Sequence, residues 1–562
     1  MSEPDLTRRE KDVLRALCRP LLADDVIVQP ASVNEIAAEL VVTDAAVKQH
    51  LLHLYDKLKI GAGGERRRVA LAREAIRLGL VEIPARAAAV PADDPLQAGR
   101  DAYARHEWEL AAKLLAAAHH AGDLVLLGEA LLWANRHDES FAAKERAYQA
   151  YLRAGDDRRA GYVAVLLTFH NAIRLDMAVA GGWLAKAEKL LEPHSDSREY
   201  GYLAFVLTLL KEAAGEWDVV LELAGRMREL GREHADADLE ALGLAFQGLV
   251  ATRRGSPEEG ERLLSEAMTS AVGGELGMLA TGVVYCRMIG ACIALHDYRR
   301  AGEWTDVVDR CARTTGLGGF PGDCRTHRTA VLVRRGAWEQ GEQEALRAIE
   351  ETQTFDLPHT GAAAYELGEI LLRRGDLDRA EESFLRAHEL GVNPRPGISL
   401  VQLARGDVAA AAASIDEALE DASLDALART RLLAARVEIG LAEGRADVLR
   451  SAARELANTA ETFGTPALAA DAAYAQGAAE VVAGDPAEGA RLLTMAYRFY
   501  LEAEVPYEAA RVREVLAEAQ RACGKFDSSK LELRAARGVF ENLGAQRDAV
   551  RVDRRLAALI EV

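Results

Sequence analysis

A short basic stretch near the start of the chain carries side chains suited to contact with nucleic acid. The stretch AVKQHLLHLYDKLKI (46–60) repeats apolar residues at helical spacing, and four of them share one face: Val47, Leu51, Leu54 and Leu58. Lys48 and Gln49 fall elsewhere on the helix. A lysine ammonium suits a phosphate or a guanine edge, and a glutamine amide suits an adenine edge. These residues alone fit an ordinary amphipathic helix with a solvated basic face equally well, so the flanking sequence has to decide.

The preceding residues provide the start signals of three helices. Thr7 with Glu10 fits a capping box, and Ser32 with Glu35 fits a second one at the start of SVNEIAAEL. Thr43 is the expected N-cap of the basic helix. Two short helices, a tight turn and a longer amphipathic helix predict a helix-turn-helix.

A fourth helix and a linker follow the basic helix. GAGG (61–64) ends the basic helix, and ERRRVALAREAIRLG then predicts a helix closed by Gly79. Arg66 and Arg67 at its start suit phosphate contacts, although a solvated first turn is an equal alternative. IPARAAAVPADDP (83–95) holds three prolines, which predict a break in helical structure. We therefore expect a four-helix domain over 1–82 and a linker over 83–95.

The first domain resembles a known family. The residues follow the frame S-x-x-E-I-A-x-x-L-x-x-[ST]-x-x-x-V-K-x-H-x-x-x-L-x-x-K-L, which is similar to the LuxR-type (GerE-type) DNA-binding domain over about 6–80. The resemblance implies that the helix beginning at Thr43 enters the major groove. It also implies that Lys48 and Gln49 face bases or phosphates, while Thr43, His50 and Lys57 steady the contact with the DNA backbone.

Two features depart from that family. Leu52 stands four residues after Lys48, where DNA-reading members often have a polar residue, and it suits packing against a partner helix better than reading a base. The connection RPLLADDVIVQPA between the first two helices is longer than usual. His50 also has an alternative role in local packing. These departures weaken the prediction of sequence-specific binding more than the prediction of the fold.

The region 96–562 is self-similar. In its clearest copy, LLRRGDLDRAEESFLRA (371–387), leucines precede a glycine turn and a second amphipathic run follows. The turn residue recurs at Gly215, Gly255, His296, Gly336, Gly375, Gly406, Gly444, Gly484 and Gly524. The intervals between these positions are nearly constant, apart from a shorter one between Gly375 and Gly406. Earlier copies place His106 and His137 at the turn, and 170–195 is expected to hold a further copy. One helix pair cannot bury its apolar stripe alone, but stacked pairs can.

A small residue five positions after the turn supports this alignment. It is present in most copies: Ala111, Ala142, Ala301, Gly341, Ala380, Ala411, Gly489 and Ser529. Val220 and Leu449 are exceptions, and we expect those copies to pack differently. The pattern resembles the divergent tetratricopeptide repeats (TPR) of MalT-like bacterial regulators over about 100–545. The predicted fold class is therefore all-α, with the helix-turn-helix domain followed by an α-solenoid of about eleven to twelve TPR-like helix pairs.

Charge is distributed unevenly between the two regions. The net charge is −19, yet residues 1–80 carry 13 Lys/Arg against 12 Asp/Glu. A near-neutral head can approach phosphates where the acidic remainder would be repelled, because local charge decides such contacts. The acidic array is compatible with a basic partner or simply with solubility.

Other functional classes have little support in the sequence. The phosphate loop G-x-x-x-x-G-K-[ST] that MalT-like regulators usually carry is absent, as are H-E-x-x-H and G-x-S-x-G. Cys324 and His327 lie in the glycine-rich segment 316–327 and could form a nucleophile pair, but a loop between repeats is the simpler interpretation. The adjacent His119 and His120 could bind a metal, but the sequence shows no third ligand. No pair of the six cysteines has C-x-x-C spacing, which disfavours a zinc site or a disulfide framework. We expect no enzyme activity, no cofactor and no metal.

The sequence predicts a cytoplasmic DNA-binding transcriptional regulator. The polar start does not resemble a signal peptide, and the most apolar run, GMLATGVVYC, is too short to span a bilayer. DNA is the expected partner of 1–82, and a protein, a peptide or a small molecule is the expected effector of the repeats. A homodimer would supply two heads for two half-sites. The alternative is a TPR scaffold whose helix-turn-helix head mediates protein contacts. The operator, the effector and the direction of regulation are not encoded in any recognisable motif.

Overall fold

A computed structural model describes residues 7–18, 36, 43–58, 71, 75, 94–314 and 322–559, and within these ranges the chain is all-helical. The chain divides into two compact units, Met1–Ala98 and Gly99–Val562. Most of the predicted linker, 83–95, lies outside the described residues. None of the helices in those ranges is long and apolar enough to cross a membrane.

The described helices are α1 (Arg8–Cys18), α2 (Asp44–Lys57), α3 (Pro95–Ala104), α4 (Trp108–Leu115), α5 (Ala121–Trp133), α6 (His137–Arg153), α7 (Asp157–Ile173), α8 (Met177–Leu191), α9 (Arg198–Ala213), α10 (Trp217–Glu233), α11 (Ala237–Arg253), α12 (Pro257–Val272), α13 (Met278–Ala294), α14 (Tyr298–Thr314), α15 (Gly322–Arg334), α16 (Trp338–Thr352), α17 (Leu357–Arg374), α18 (Leu377–Glu389), α19 (Gly397–Arg405), α20 (Val408–Leu419), α21 (Ala426–Glu443), α22 (Ala446–Phe463), α23 (Pro466–Ala483), α24 (Pro486–Glu502), α25 (Pro506–Ala522), α26 (Phe526–Leu543) and α27 (Gln546–Ala558).

In the first unit, α1 and α2 pack against each other. The face of the basic helix that the sequence predicts to be apolar is buried throughout: Val47, Leu51, Leu54 and Leu58. Of the two other predicted helices, only Ile36, Leu71 and Ala75 are described, and all three are helical and fully buried. The four-helix arrangement therefore stays a prediction, while the basic helix and its buried apolar face are confirmed.

The second unit is built from helix pairs, as the repeats predict. From α5 to α27 each helix packs against the next, and from α7 onward the first helix of each pair also contacts the first helix of the following pair. A residue with positive φ separates the two helices of each pair, because a left-handed residue ends a helix by capping its last carbonyl groups. Twelve such pairs and the final α27 occupy 95–558, in agreement with the predicted number.

Two early turns differ from the predicted alignment. The left-handed residue of the second pair is Asn135 (φ 60°), not His137, which begins α6. The copy expected within 170–195 turns at Leu175 (φ 60°), which lies midway between the turns at Asn135 and Gly215 and so restores the regular interval. Asn tolerates this conformation, but a branched apolar residue rarely adopts it. Leu175 therefore leaves no turn signature in the sequence.

The position five residues after the turn lies where paired helices are in close contact. Ala111, Ala380 and Ala411 are fully buried there, and a Cβ added to Gly489 would lie 2.6 Å from Cγ2 of Val481. With the corrected turn, Ser140 occupies this position in place of Ala142, and its hydroxyl donates to the Gly128 carbonyl at 2.6 Å.

Val220 and Leu449, the two large residues at this position, are also fully buried. The repeats that contain them therefore keep the same burial pattern as the others. Leu449 fits because the preceding helix supplies the small residue: a Cβ added to Gly440 would lie 3.1 Å from Cδ2 of Leu449.

We expect Ala411→Leu to lower the free energy of unfolding by about 1–3 kcal/mol, because the added atoms must displace a packed neighbour. Ala411 lies with Leu432, Ala435 and Ile439 in one core cluster. Ala413→Leu on the same helix is the matched control, since Ala413 is exposed, and its effect should stay within about 0.5 kcal/mol. Urea unfolding followed by circular dichroism measures both, and equal midpoints for the two variants would contradict this packing.

The repeat array folds back on itself. Side chains about 170 residues apart in the sequence are in contact, as in the ion pair Arg253–Asp425 and in the hydrogen bond from the Thr465 hydroxyl to the Leu295 carbonyl. Arg335 pairs with Glu504 in the same way, and α17 contacts α27. In the three side-chain contacts, the end of a first helix meets the beginning of the first helix five pairs further along. Successive turns of the array therefore touch and enclose a channel lined by first helices.

A buried lysine and histidine link α6 and α7. The Lys144 ammonium is fully buried and lies 2.9 Å from Glu129 Oε1 and 3.3 Å from His170 Nδ1. Burial lowers the pKa of His170 well below its usual range, and the Lys144 cation acts in the same direction. Because Lys144 can only donate, His170 is neutral and accepts through Nδ1.

The stability of this unit should fall as the pH decreases. A base whose pKa is lowered by folding binds fewer protons when folded, so stability is lost as the pH falls through the unfolded value of about 6.5. His170→Asn, which keeps an acceptor but does not titrate, should flatten the profile by up to about 1.4 kcal/mol per pH unit. His119→Asn is the control, since His119 is exposed. Thermal midpoints measured from about pH 7.5 to about pH 6 test this, and an unchanged slope in His170→Asn would refute it.

Candidate functional site

The basic helix of the first unit holds most of the predicted DNA-contacting residues. Thr43 caps α2, since its hydroxyl accepts from the Ala46 backbone N–H at 3.3 Å. Gln49 and Lys57 are exposed, and His50 is half-buried. Lys48 lies on the same helix. Arg66 and Arg67 fall outside the described residues. The structure thus brings five of the seven predicted residues onto one helix or its cap, and their contact with DNA stays a prediction.

A second candidate site is the channel enclosed by the repeat array, a cavity of about 480 Å³. The first helices of the pairs from α15 to α25, together with α27, supply most of its wall. Seven arginines line it: Arg334, Arg373, Arg431, Arg511, Arg547, Arg551 and Arg555. Seven acidic residues line it as well: Glu369, Glu438, Asp471, Glu508, Glu514, Glu518 and Asp548. The wall is therefore charged but balanced.

Glu369 is the centre of one charge cluster in this wall. Its carboxylate lies 3.6 Å from Arg334 and 3.5 Å from both Arg373 and Arg431. Burial by itself would raise the pKa of Glu369, but the three arginines outweigh burial and lower the pKa to about 2. Glu369 is therefore ionised at neutral pH and holds together guanidinium groups from three helices.

Tyrosine rings orient two of these arginines. The Arg373 guanidinium carbon lies 4.7 Å from the ring centroid of Tyr507, and that of Arg431 lies 4.9 Å from the ring centroid of Tyr365. Stacking on an aromatic face attracts a cation and restricts its rotation. The donor groups of both arginines are thus held in place before any ligand enters.

A second cluster occupies the C-terminal end of the channel. Arg551 donates to both oxygens of Glu514, at 3.0 and 2.6 Å, and the Tyr507 hydroxyl donates to Asp548 at 3.1 Å. Burial lowers the pKa of Arg511 to about 10, and the nearby Arg551 adds to this effect. Arg511 stays protonated at neutral pH and pairs with Glu438.

His296, Asp471 and Thr430 resemble a catalytic triad but serve as a link between turns of the array. His296 Nδ1 lies 3.1 Å from Asp471 and Nε2 lies 3.3 Å from the Thr430 hydroxyl. The Thr430 side chain is fully buried and donates to the Leu427 carbonyl at 2.6 Å, so a substrate has no access to it. Asp471 also accepts from the Tyr500 hydroxyl at 2.6 Å. The three residues join segments that lie 134 and 175 positions apart.

The other residues considered for chemistry have structural surroundings. Cys324 is buried, with its sulfur 3.9 Å from that of Cys286. His120 caps α5 by accepting from the Gly122 N–H at 3.3 Å. Within the part of the chain that the structure describes, no group of three or more His, Cys, Asp or Glu side chains could hold a metal ion.

The channel is a candidate site that the sequence did not reveal. Its only local signal is the presence of charged residues on buried helix faces, as for Glu366, Glu369 and Arg373 in α17. A repeat alignment assigns such positions to the apolar core. Most of their partners lie on other helices, and the Arg373–Glu508 pair at 3.0 Å joins residues 135 positions apart, so a local pattern does not reveal them.

Comparisons with known proteins add little. No protein-family model and no curated protein matches the chain by sequence. Among solved structures, a chain from the crystal structure of the APC/C hetero-tetramer Cut9-Hcn1 matches 82% of this chain over 98% of its own length. The identity is 10% and the TM-score is 0.34, a similarity too low to support an argument about function.

We expect Asp471→Ala to lower the free energy of unfolding of the repeat array by about 2 kcal/mol or more, because it leaves two buried groups, His296 Nδ1 and the Tyr500 hydroxyl, without a partner. The control is Asp447→Ala, whose carboxylate is exposed and pairs with Arg445 on the surface. That pair should contribute less than about 1 kcal/mol. Urea unfolding measures both variants, and a loss no greater for Asp471→Ala than for Asp447→Ala would show that the link is not structural.

Proposed function

We propose that this protein is a cytoplasmic DNA-binding transcriptional regulator, in which residues 1–82 bind DNA and the repeat array binds an effector. One observation supports this proposal most: α2 is capped by Thr43 and anchored by a buried apolar face, while Gln49 and Lys57 are exposed. A helix that reads a DNA groove requires this division, because its anchored face fixes the direction in which its polar face points.

The repeat array suits the second part of the proposal. Stacked helix pairs form extended concave surfaces that bind proteins, peptides or smaller ligands. The net charge of the chain is −19 although residues 1–80 are nearly neutral, so the array itself repels DNA. In this proposal the array senses an effector, two copies of the chain present two heads to two half-sites, and no step is catalytic.

The second candidate is a scaffold whose head contacts proteins. The specific observation in its favour is the helical-repeat array, which accounts for most of the chain. Leu52 lies on α2, where an apolar residue suits a protein partner better than a base. A DNA-binding experiment separates the two candidates, because only the regulator requires contact with phosphates.

We expect the intact protein to retain fragments of its own genome at low salt, with an affinity that falls steeply as salt is added. Lys48→Ala should weaken binding, and the slope of log K against log salt should decrease by about 0.9 if Lys48 contacts one phosphate. Gln49→Ala should instead reduce discrimination between sequences by about 1–3 kcal/mol. Fluorescence anisotropy on the selected fragments measures these quantities.

Lys113→Ala is the control, because Lys113 is an exposed lysine of α4 in the repeat array. It should leave both affinity and salt dependence unchanged. Absence of any retained DNA, or identical binding by Lys48→Ala and the wild-type protein, would reject the regulator and favour the scaffold.

A further inference from the structure

Three polar atoms in the wall of the channel have no hydrogen-bond partner. They are Nη1 of Arg373, Nη2 of Arg431 and Oε2 of Glu508. Arg373 is only 8% exposed, so its Nη1 group is shielded from bulk water. Buried polar groups in folded proteins almost always have partners, so an exception calls for an explanation, such as a water, an ion or another molecule that completes the bonding.

The three atoms belong to one connected cluster. Nη2 of Arg373 donates to Oε1 of Glu508 at 3.0 Å, and Glu369 lies 3.5 Å from both Arg373 and Arg431. Arg373 Nη1 and Glu508 Oε2 therefore remain available, and Arg431 Nη2 makes only a 3.5 Å ion pair with Glu369 Oε1 and no hydrogen bond. A ligand with a negatively charged acceptor and a positively charged donor would make the strongest hydrogen bonds to them.

We propose that the channel binds a small zwitterion with an α-ammonium and an α-carboxylate group, as in an amino acid or a short peptide with free ends. The carboxylate of the ligand accepts from Arg373 and Arg431, and its ammonium group donates to Glu508. This inference rests on the proposed function, since it assigns the site and the chemical class of the effector that the array binds.

The balance of charges argues against a simple ion. Seven arginines and seven acidic residues line the channel, so the wall as a whole favours neither sign. A phosphate would leave the Glu508 oxygen unpartnered and face its negative charge. An ammonium ion alone would leave the two arginines unpartnered. A molecule with both charges completes the cluster where a simple ion of either sign does not.

The remaining wall suits the side chains of such a ligand. Apolar residues line the channel beside the charges: Leu372, Leu400, Leu403, Val437, Leu441, Val505 and Val515. The cavity of about 480 Å³ lies within the size range of small-ligand sites. The lining is mixed because the arginines and Glu508 would hold the charged ends of the ligand, while the apolar residues would contact its side chains.

The experiment uses the full-length protein and two kinds of probe. One is an equimolar pool of the twenty common amino acids, and the other is a series of tripeptide pools with free ends, each pool defined by its central residue. Thermal unfolding identifies pools that stabilise the protein, and calorimetry with single members gives affinities. Stabilisation by the amino-acid pool assigns the ligand as a free amino acid, and stabilisation by tripeptide pools alone assigns it as a peptide. Either result supports the shared chemistry.

Modified probes and variants test the predicted contacts. N-acetylation of the stabilising probe removes the ammonium group, amidation removes the carboxylate, and each should weaken binding at least tenfold. Arg431→Gln and Glu508→Gln should do the same. The control Arg450→Gln changes an exposed arginine paired with Glu480 outside the channel lining and should bind as the wild type does.

Three results would overturn the proposal: no pool stabilises the protein, the blocked probes bind as tightly as the free ones, or both channel variants bind as the wild type does. Far-ultraviolet circular dichroism of each variant confirms that it is folded. Retention of DNA is measured separately on the same preparation. If the protein binds a zwitterion but no DNA, the regulator proposal is rejected and this inference stands. If it binds DNA but no zwitterion, only this inference is rejected.

Discussion

One of the two charge clusters inside the repeat array depends on the carboxylate of Glu369. It lies within 3.6 Å of three arginines, Arg334, Arg373 and Arg431, which come from α15, α17 and α21. Removing one partner from a buried charge network typically costs about 3–5 kcal/mol, because the remaining charges are left uncompensated. This carboxylate meets arginines from all three helices, and Glu508 adds a second acidic partner for Arg334 and Arg373. The position of each first helix is therefore constrained by charge as well as by apolar packing.

The path of the array brings these charges together. Small residues five positions after most turns let paired helices approach closely, and the repeats keep a nearly constant length. With this geometry, residues far apart in the sequence meet across successive turns of the array, as Arg253 and Asp425 do. The channel follows from the way the repeats stack, since no single repeat contains it. A change at one close contact between helices would alter the pitch of the array and hence the distances across the channel.

The sequence predicted the local features of the structure far better than its site. The turn glycines and the apolar face of α2 follow from spacing, and both are confirmed. The sequence placed the turn at Asn135 two residues too late, and it did not locate the turn at Leu175. Both residues adopt the left-handed conformation that glycine usually marks in the other repeats. The channel was missed because its charges pair across long stretches of the chain, as Arg373 and Glu508 do. The DNA contacts of Lys48 stay a prediction because they concern a partner and not the fold.

Stability alone does not account for charges in the channel wall. Well-packed apolar residues in place of a buried ion-pair network often leave a protein equally or more stable. The same array buries large apolar side chains completely between its helices, as at Phe384 and Phe540. Charges at Arg373 and Glu508 instead keep this part of the wall polar, and each leaves one atom without a partner. Burying these charges is energetically unfavourable, and two of their atoms lack hydrogen bonds. A ligand with one positive and one negative group explains both features of the wall.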